Sequence, residues 1–308
     1  MTVETPAPQG ERVLVVGATG YLGKRLLPRL LASGRSVRAL VRGGAARAAT
    51  YPHLAGAEIA AGDVADPDSC RRAAAGVDTV IHLVGIIQER GPATFEAVHV
   101  EGTRTLVAAA RDGGARRILY VSALGARPDA PTEYWRTKAR AEALVMASGL
   151  AWLVLRPSIV FARDGEFFAV LRQLTAIPLV PVLGPGTSRM APLRADDLAG
   201  IEVAALDRPD AWGHAHEVSG PEAMTFNELL RRVARARSMP VLLLHVPLVL
   251  ARPLVALMAK LLPAPPITPG QLAMLEEDSV ADPAEVARVF GISVRPIDPI
   301  LLGTEDAA

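Results

Sequence analysis

Cysteine, lysine and net charge are what this chain of 308 residues has least of. The single cysteine, Cys70, permits no internal disulfide and points to a reducing compartment, so the expected location is cytoplasmic. Basic residues number 33 against 32 acidic ones, a formal net charge of +1, and no long basic run breaks that balance. Without such a footprint, nucleic acid is excluded as a partner. The histidines His53, His82, His99, His214, His216 and His245 are scattered. His214 and His216 have no cysteine or third ligand nearby, so no metal site is expected. A serine-hydrolase elbow and an internal repeat are also lacking. Met1–Gln9 is polar and contains proline, which argues against a secretory leader. The longest apolar stretch, Val241–Leu262, is interrupted by His245, Pro247, Arg252, Pro253 and Lys260. A spanning helix needs about 20 predominantly apolar residues, and a central arginine costs about 2.5–3.5 kcal/mol. The stretch therefore reads as a buried strand followed by short helices, with surface attachment to a membrane as the alternative.

Half of the residues are hydrophobic, enough for a large core and incompatible with global disorder. Short apolar runs at Val37–Val41, Glu58–Ala61, Thr79–Val84, Arg117–Val121 and Trp152–Leu155 alternate with segments of helical spacing. Those segments are Tyr21–Ala32, Pro67–Ala75, Phe95–Arg111 and Glu133–Ala147. Alternation of this kind predicts an α/β fold, a doubly wound parallel sheet with right-handed crossovers. Leu22, Leu26 and Leu30 share the face of the first helix that packs on the sheet, and Pro28 should kink that helix or tighten its start. After Pro157 the texture changes, with prolines and glycines crowding Ile177–Gly186. Residues 10–158 are read as a nucleotide-binding domain and 159–305 as a smaller substrate or partner lobe. Residues 189–220 are expected to return to the sheet.

The strongest local signal is Arg12–Gly23. A β-branched apolar run ends at Gly17, Gly20 and Gly23 follow at three-residue intervals, and a helix begins at once. This strand, turn and helix N-terminus hold a dinucleotide pyrophosphate on backbone N–H groups, here of Gly17, Thr19, Gly20, Tyr21, Leu22 and Gly23. Ligands of open α/β sheets lie beyond the carboxyl ends of the strands, which here carry Gly17, Arg42, Asp63-Val64 and Leu83-Val84-Gly85. An acid after the second strand would bind the ribose hydroxyls of NAD. Arg42 suits a 2′-phosphate instead, so NADP(H) is favoured over NAD(H). Asp63 either contacts the adenine amino group or caps the following turn.

Tyr134 and Lys138 stand four residues apart, on one helical face. A nearby ammonium favours a phenolate, so the Tyr134 pKa is expected to fall toward the working range for proton transfer. Only Lys24, Lys138 and Lys260 are lysines among the 33 basic residues, which singles out Lys138.

The glycine loop, Gly62-Asp63, the strand Ile118–Ala123 and the Tyr134–Lys138 pair together resemble the short-chain dehydrogenase/reductase superfamily. Val121–Ala126, Leu155–Phe161 and Thr268–Leu272 are similar to its atypical branch, which includes the NADPH-binding accessory subunit of respiratory complex I and bacterial relatives. The resemblance implies Tyr134 as acid/base, Lys138 as its partner and ribose anchor, Ser122 as a substrate-oriented hydroxyl, and Pro157 and Ser158 near the nicotinamide. Ser122 precedes Tyr134 by twelve residues, a shorter interval than in the sugar-nucleotide members. His99 stands where many members carry asparagine, and is read as a packed histidine. Three functions follow. The first is hydride transfer to or from a small hydrophobic carbonyl or quinone-like substrate. The second is a non-catalytic NADPH-binding accessory protein of a respiratory or membrane-associated complex, and the third, weaker, is a sugar-nucleotide epimerase or dehydratase. Oligomeric state is left open.

Overall fold

Apolar runs buried on both faces produce a parallel sheet, and the first half of the chain is built from them. In the computed structural model, which describes residues 10–262 and 265–304, these are β1 (Arg12–Val16), β2 (Ser36–Val41), β3 (Glu58–Ala61), β4 (Thr79–His82), β5 (Arg117–Val121) and β6 (Ala151–Pro157). Met1–Gln9 and residue 305 lie outside the described residues. The connecting helices are α1 (Gly23–Ala32), α2 (Gly44–Ala48), α3 (Pro67–Ala74), α4 (Gly102–Asp112), entered through one π-helical segment at Glu96–Glu101, and α5 (Glu133–Met146). Asp66 caps α3 by accepting from the Asp68 and Ser69 N–H groups, and Thr132 caps α5 from the Trp135 N–H.

The second half interleaves with this sheet. β7 (Val160–Phe161), α6 (Glu166–Leu174), β8 (Leu179–Leu183), β9 (Arg189–Met190) and β10 (Leu193–Arg194) lead into α7 (Ala195–Leu206), and β11 (Ala215–Val218) joins the sheet beside β6. The remaining elements are β12 (Met224–Thr225), α8 (Phe226–Ala236), β13 (Leu242–Val246), α9 (Leu248–Leu261), α10 (Pro269–Met274), α11 (Pro283–Phe290) and α12 (Asp298–Leu302). The central sheet has seven strands in the order β11-β6-β5-β4-β1-β2-β3, and all its pairings are parallel. β1 lies between β2 and β4, so the chain winds outward in both directions from it. The crevice beyond its carboxyl end is the topological switch point.

Both faces of β1 are dry. Val13 and Val15 pack with Leu26, Leu27 and Leu30 of α1 and Leu198 and Ile201 of α7. Leu14 and Val16 pack with Ala73, Leu106, Ala141 and Val145 of α3, α4 and α5. Cys70 lies in this second layer, where burial pushes its thiol up to about 11 and leaves it inert. α1 runs on through Pro28, which faces solvent, where its missing N–H costs least.

Two sequence expectations about Val241–Leu262 need correction. Its strand is not buried: Leu242 and Leu244 of β13 are 69% and 50% exposed. The segment after it is one helix of 14 residues that continues through an exposed Pro253, not several short ones. Leucines stand on both faces of the strand and around the helix, so apolarity overstated burial. Among the described residues, no helix is long and apolar enough to cross a membrane.

Candidate functional site: a nucleotide cradle joined to a tyrosine–lysine pair

The glycine loop is shaped by what surrounds it. Gly17 takes φ +96°, a left-handed value that glycine alone adopts at no steric cost, and its backbone lies against Leu83 and Val84 at the end of β4. A Cβ on Gly23 would collide with the Ala18 carbonyl, so only glycine lets α1 start this close to the loop. The His53 ring pins the loop from behind through the Ala18 carbonyl, at 3.0 Å. At the start of α1, the backbone N–H groups of Tyr21, Leu22 and Gly23 find no acceptor among the described residues. Such free donors at a helix N-terminus, backed by a glycine turn, fit a dinucleotide pyrophosphate. Thr19 and Tyr21 are half-buried at the rim, and the Tyr21 ring lies 4.8 Å from the Arg25 guanidinium.

The same loop reaches the second candidate group without a break. Leu83 and Val84 touch Gly17, and a Cβ on the next residue, Gly85, would sit 3.0 Å from the Lys138 Nζ. Lys138 is buried. Its ammonium donates to the Val121 carbonyl at 3.1 Å, the residue before Ser122, and lies 5.0 Å from the centre of the Tyr120 ring. Burial pulls its pKa down to about 8, against an opposing pull from Glu142.

Tyr134 departs from expectation. Its phenol is not lowered; burial pushes it up to about 12. Four-residue spacing puts both residues on one helical face but does not aim the lysine. The Lys138 ammonium is turned toward Val121, and the Tyr134 ring meets Phe95 and His99 edge-on instead, at 5.8 and 5.6 Å.

His99 is the unforeseen centre of this region. The Ile86 N–H donates to its Nε2 at 3.1 Å, so Nδ1 carries the proton and donates to Thr137 Oγ1 at 2.9 Å. Thr137 Oγ1 lies 2.9 Å from the Tyr134 carbonyl and donates back to the preceding turn. Burial, together with the Lys138 charge, pulls the His99 pKa down to about 2, so the ring stays neutral. It ties the Gly85–Ile86 loop to the helix bearing Tyr134. No local pattern announces this, because Thr137 is 38 residues further along the chain.

Ser122 is buried and its Oγ has no hydrogen-bond partner among the described residues. A buried hydroxyl left unpaired at the carboxyl end of a strand is unusual and fits a bound ligand. Pro157, at the end of β6, accepts from the Leu124 N–H at 2.8 Å, while Ser158 spends its hydroxyl on the Ala191 carbonyl at 2.5 Å. Arg42 is 80% exposed, with Nε 3.8 Å from the Asp63 carboxylate. That carboxylate caps its own turn through the Ala65 N–H at 2.9 Å, and Val64 is buried beneath it. Arg194, at the end of β10, is a further residue the sequence did not single out. It is buried, and its Nε has no partner among the described residues.

Residues 17–175 match the NAD(P)H-binding family. The chain is 34% identical over 200 residues to a ceramide reductase of Caulobacter vibrioides, which covers 64% of this chain and 61% of that protein. It is 29% identical over 221 residues to subunit 9 of the NADH dehydrogenase [ubiquinone] 1 alpha subcomplex of Arabidopsis thaliana, covering 70% of this chain and 55% of that one. The chain thus spans less than two thirds of the length of each. In fold it resembles a nucleoside-diphosphate-sugar epimerase from Staphylococcus aureus, with a TM-score of 0.76 at 18% identity over 94% of this chain and 99% of that one. With its switch-point cradle and a family match over more than half its length, the chain belongs to the NAD(P)H-binding Rossmann family, which has both reductases and respiratory-complex subunits among its relatives.

Proposed function

We propose that the chain is an NADP(H)-dependent reductase of a small hydrophobic carbonyl or quinone-like compound. The observation that carries this reading is the continuous contact from Gly17 through Leu83, Val84 and Gly85 to the Lys138 ammonium, which brings the glycine loop to the helix that bears Tyr134. Gly17, Thr19, Gly20, Tyr21, Leu22 and Gly23 would hold the pyrophosphate. Arg42 would meet the 2′-phosphate, Asp63 and Val64 the adenine, and Leu83–Gly85 the nucleotide's inner edge. Lys138 would hold a ribose hydroxyl, with Pro157 and Ser158 beside the nicotinamide. Residues 10–158 would carry the nucleotide and the lobe within 159–305 the substrate. The lone buried Cys70 supports a reducing, cytoplasmic setting.

The bound nucleotide supplies the hydride. Everything else falls to the protein. With its phenol pushed up to about 12, Tyr134 is protonated at neutral pH, the state needed to donate a proton to a carbonyl oxygen. The unpaired Ser122 hydroxyl would hold the same oxygen. Lys138 stays charged below about pH 8 and loses its charge above it, so turnover is expected to decline as pH rises through that value. The test is NADPH oxidation across a panel of ketones and quinones, followed by absorbance. Turnover with some member of the panel that Tyr134→Phe abolishes is expected; equal rates in both proteins would refute a catalytic tyrosine.

A second reading has one observation in its favour. The Lys138 ammonium is engaged by the Val121 carbonyl at 3.1 Å and is turned away from Tyr134, so the two do not act on one another as a catalytic pair would. Such a chain would serve as an accessory protein at a respiratory or other membrane-bound complex, in line with its similarity to the Arabidopsis subunit. Tight NADPH binding with no turnover over the whole panel would select it.

A further inference from the structure

The C-terminal lobe leaves one apolar face bare. β8 and β13 pair in parallel, Leu179 beside Leu242 and Pro181 beside Leu244. Paired residues of parallel strands project to the same side. Val180 and Val182 point the other way, into the lobe core, and are fully buried, whereas Leu179, Leu242 and Leu244 are about half exposed or more. α9 repeats the pattern. Ala251 and Val255 are buried against Leu272 of α10, and Leu250, Leu254, Leu257 and Leu261, spaced by four, three and four, form an outer stripe that is 51–71% exposed. Soluble proteins rarely leave so many large apolar side chains together in water.

Charge decides what covers them. From Val241 to Leu275, the stretch that carries β13 and α9, the chain holds no aspartate or glutamate; Arg252 pairs with Glu276 just beyond it, at 2.7 Å, and Lys260 is its other cation. Lys260 flanks the leucine stripe and has no carboxylate within salt-bridge distance among the described residues. A second copy of the same face would offer Lys260 no acidic partner. An anionic bilayer surface offers phosphates to the cations and acyl chains to the leucines. At 14 residues α9 is about 21 Å long, too short to span and long enough to lie in the interface.

We propose that the face formed by the outer side of β8 and β13 and the leucine stripe of α9 rests on an anionic lipid bilayer. The contact is peripheral, with Leu250, Leu254, Leu257 and Leu261 in the headgroup–acyl boundary and Lys260 at the phosphates. It is independent of hydride transfer, since a reductase and an accessory protein would both use it.

The test is co-sedimentation of the full chain with vesicles of phosphatidylcholine alone and of an equimolar mixture with phosphatidylglycerol. NADPH affinity of each variant reports an intact fold. The chain is expected to bind the anionic vesicles and to bind phosphatidylcholine much more weakly. Leu254→Glu combined with Leu257→Glu, both at exposed positions, should lower anionic binding at least about tenfold with NADPH affinity unchanged. Lys260→Glu should lower it about fivefold or more on anionic vesicles only. Absence of binding to the anionic vesicles, or equal binding by the leucine double variant, overturns the proposal. A dimer seen by light scattering that the same double variant disperses, without vesicle binding, assigns the face to a second copy instead.

Discussion

The two ends of the central sheet treat buried polar groups in opposite ways. At the amino end, the buried Glu11 carboxylate accepts from Arg35 at 2.9 Å, from Thr79 at 2.7 Å and from Arg117, and Arg35 goes on to Asp207 after α7 at 2.5 Å. Burial alone would raise the Glu11 pKa, but the Thr79 and Arg35 hydrogen bonds and the Arg117 charge hold it below the usual carboxylate range. At the carboxyl end, Ser122 Oγ just after β5 and His82 Nδ1 at the end of β4 are buried with no partner among the described residues. Unpaired buried groups cost stability, and one placed at a ligand-binding edge such as Ser122 fits a group that a ligand would satisfy. The amino end fastens the sheet to α7. The carboxyl end leaves the Ser122 hydroxyl free.

That contrast can be broken from either side. The largest effect is expected from Tyr134→Phe, which should lower the turnover of NADPH with an accepted carbonyl by about 10²–10⁴-fold while leaving the KM for NADPH unchanged. Steady-state kinetics checks this. At the amino end, Glu11→Ala leaves the fully buried Arg35 side chain without its inner partner and should cost about 3–5 kcal/mol in urea unfolding. NADPH affinity of the folded protein should stay the same, because the two ends do separate work.

Glu202 of α7 sharpens the comparison, being an orphan away from the cofactor edge. Both its carboxylate oxygens are buried without a partner, and burial raises its pKa to about 8, partly offset by Arg29. The folded state therefore keeps its proton between pH 4.5 and about 8 while the unfolded chain loses it. Stability should fall as pH rises across that window and level off above it. Glu202→Gln should remove about 2–4 kcal/mol of that decline, measured as urea midpoints at pH 5 and pH 8. The smallest effect is expected at Arg42, which is exposed. Arg42→Ala should reduce a preference for NADPH over NADH by about tenfold, read from fluorescence titrations of each nucleotide. An unchanged preference would show that the Arg42 charge does not select NADP(H).

What was legible in the sequence follows from the same physics. β1 and its three glycines could be read because burial on both faces makes an unbroken apolar run and each glycine answers a local steric demand. The helices over α1, α3, α4 and α5 followed from apolar periodicity. Side-chain direction did not. The Lys138 ammonium turned to the Val121 carbonyl, so the expected drop in the Tyr134 pKa became a rise. The His99–Thr137 link joins segments far apart in sequence, and only folding brings them together. In β13 and α9 hydrophobicity was read as burial, where the fold uses it for surface.

The central claim is that the unpaired carboxyl end reduces a carbonyl compound with Tyr134 as the proton donor. Its most direct test is a turnover with NADPH deuterated at the transferable position of the nicotinamide, followed by mass spectrometry of the alcohol or quinol product. Deuterium carried into an alcohol product by the native chain, and lost with Tyr134→Phe, is the predicted result. Product formation that survives Tyr134→Phe undiminished, or no transfer to any carbonyl while NADPH remains tightly bound, would contradict it.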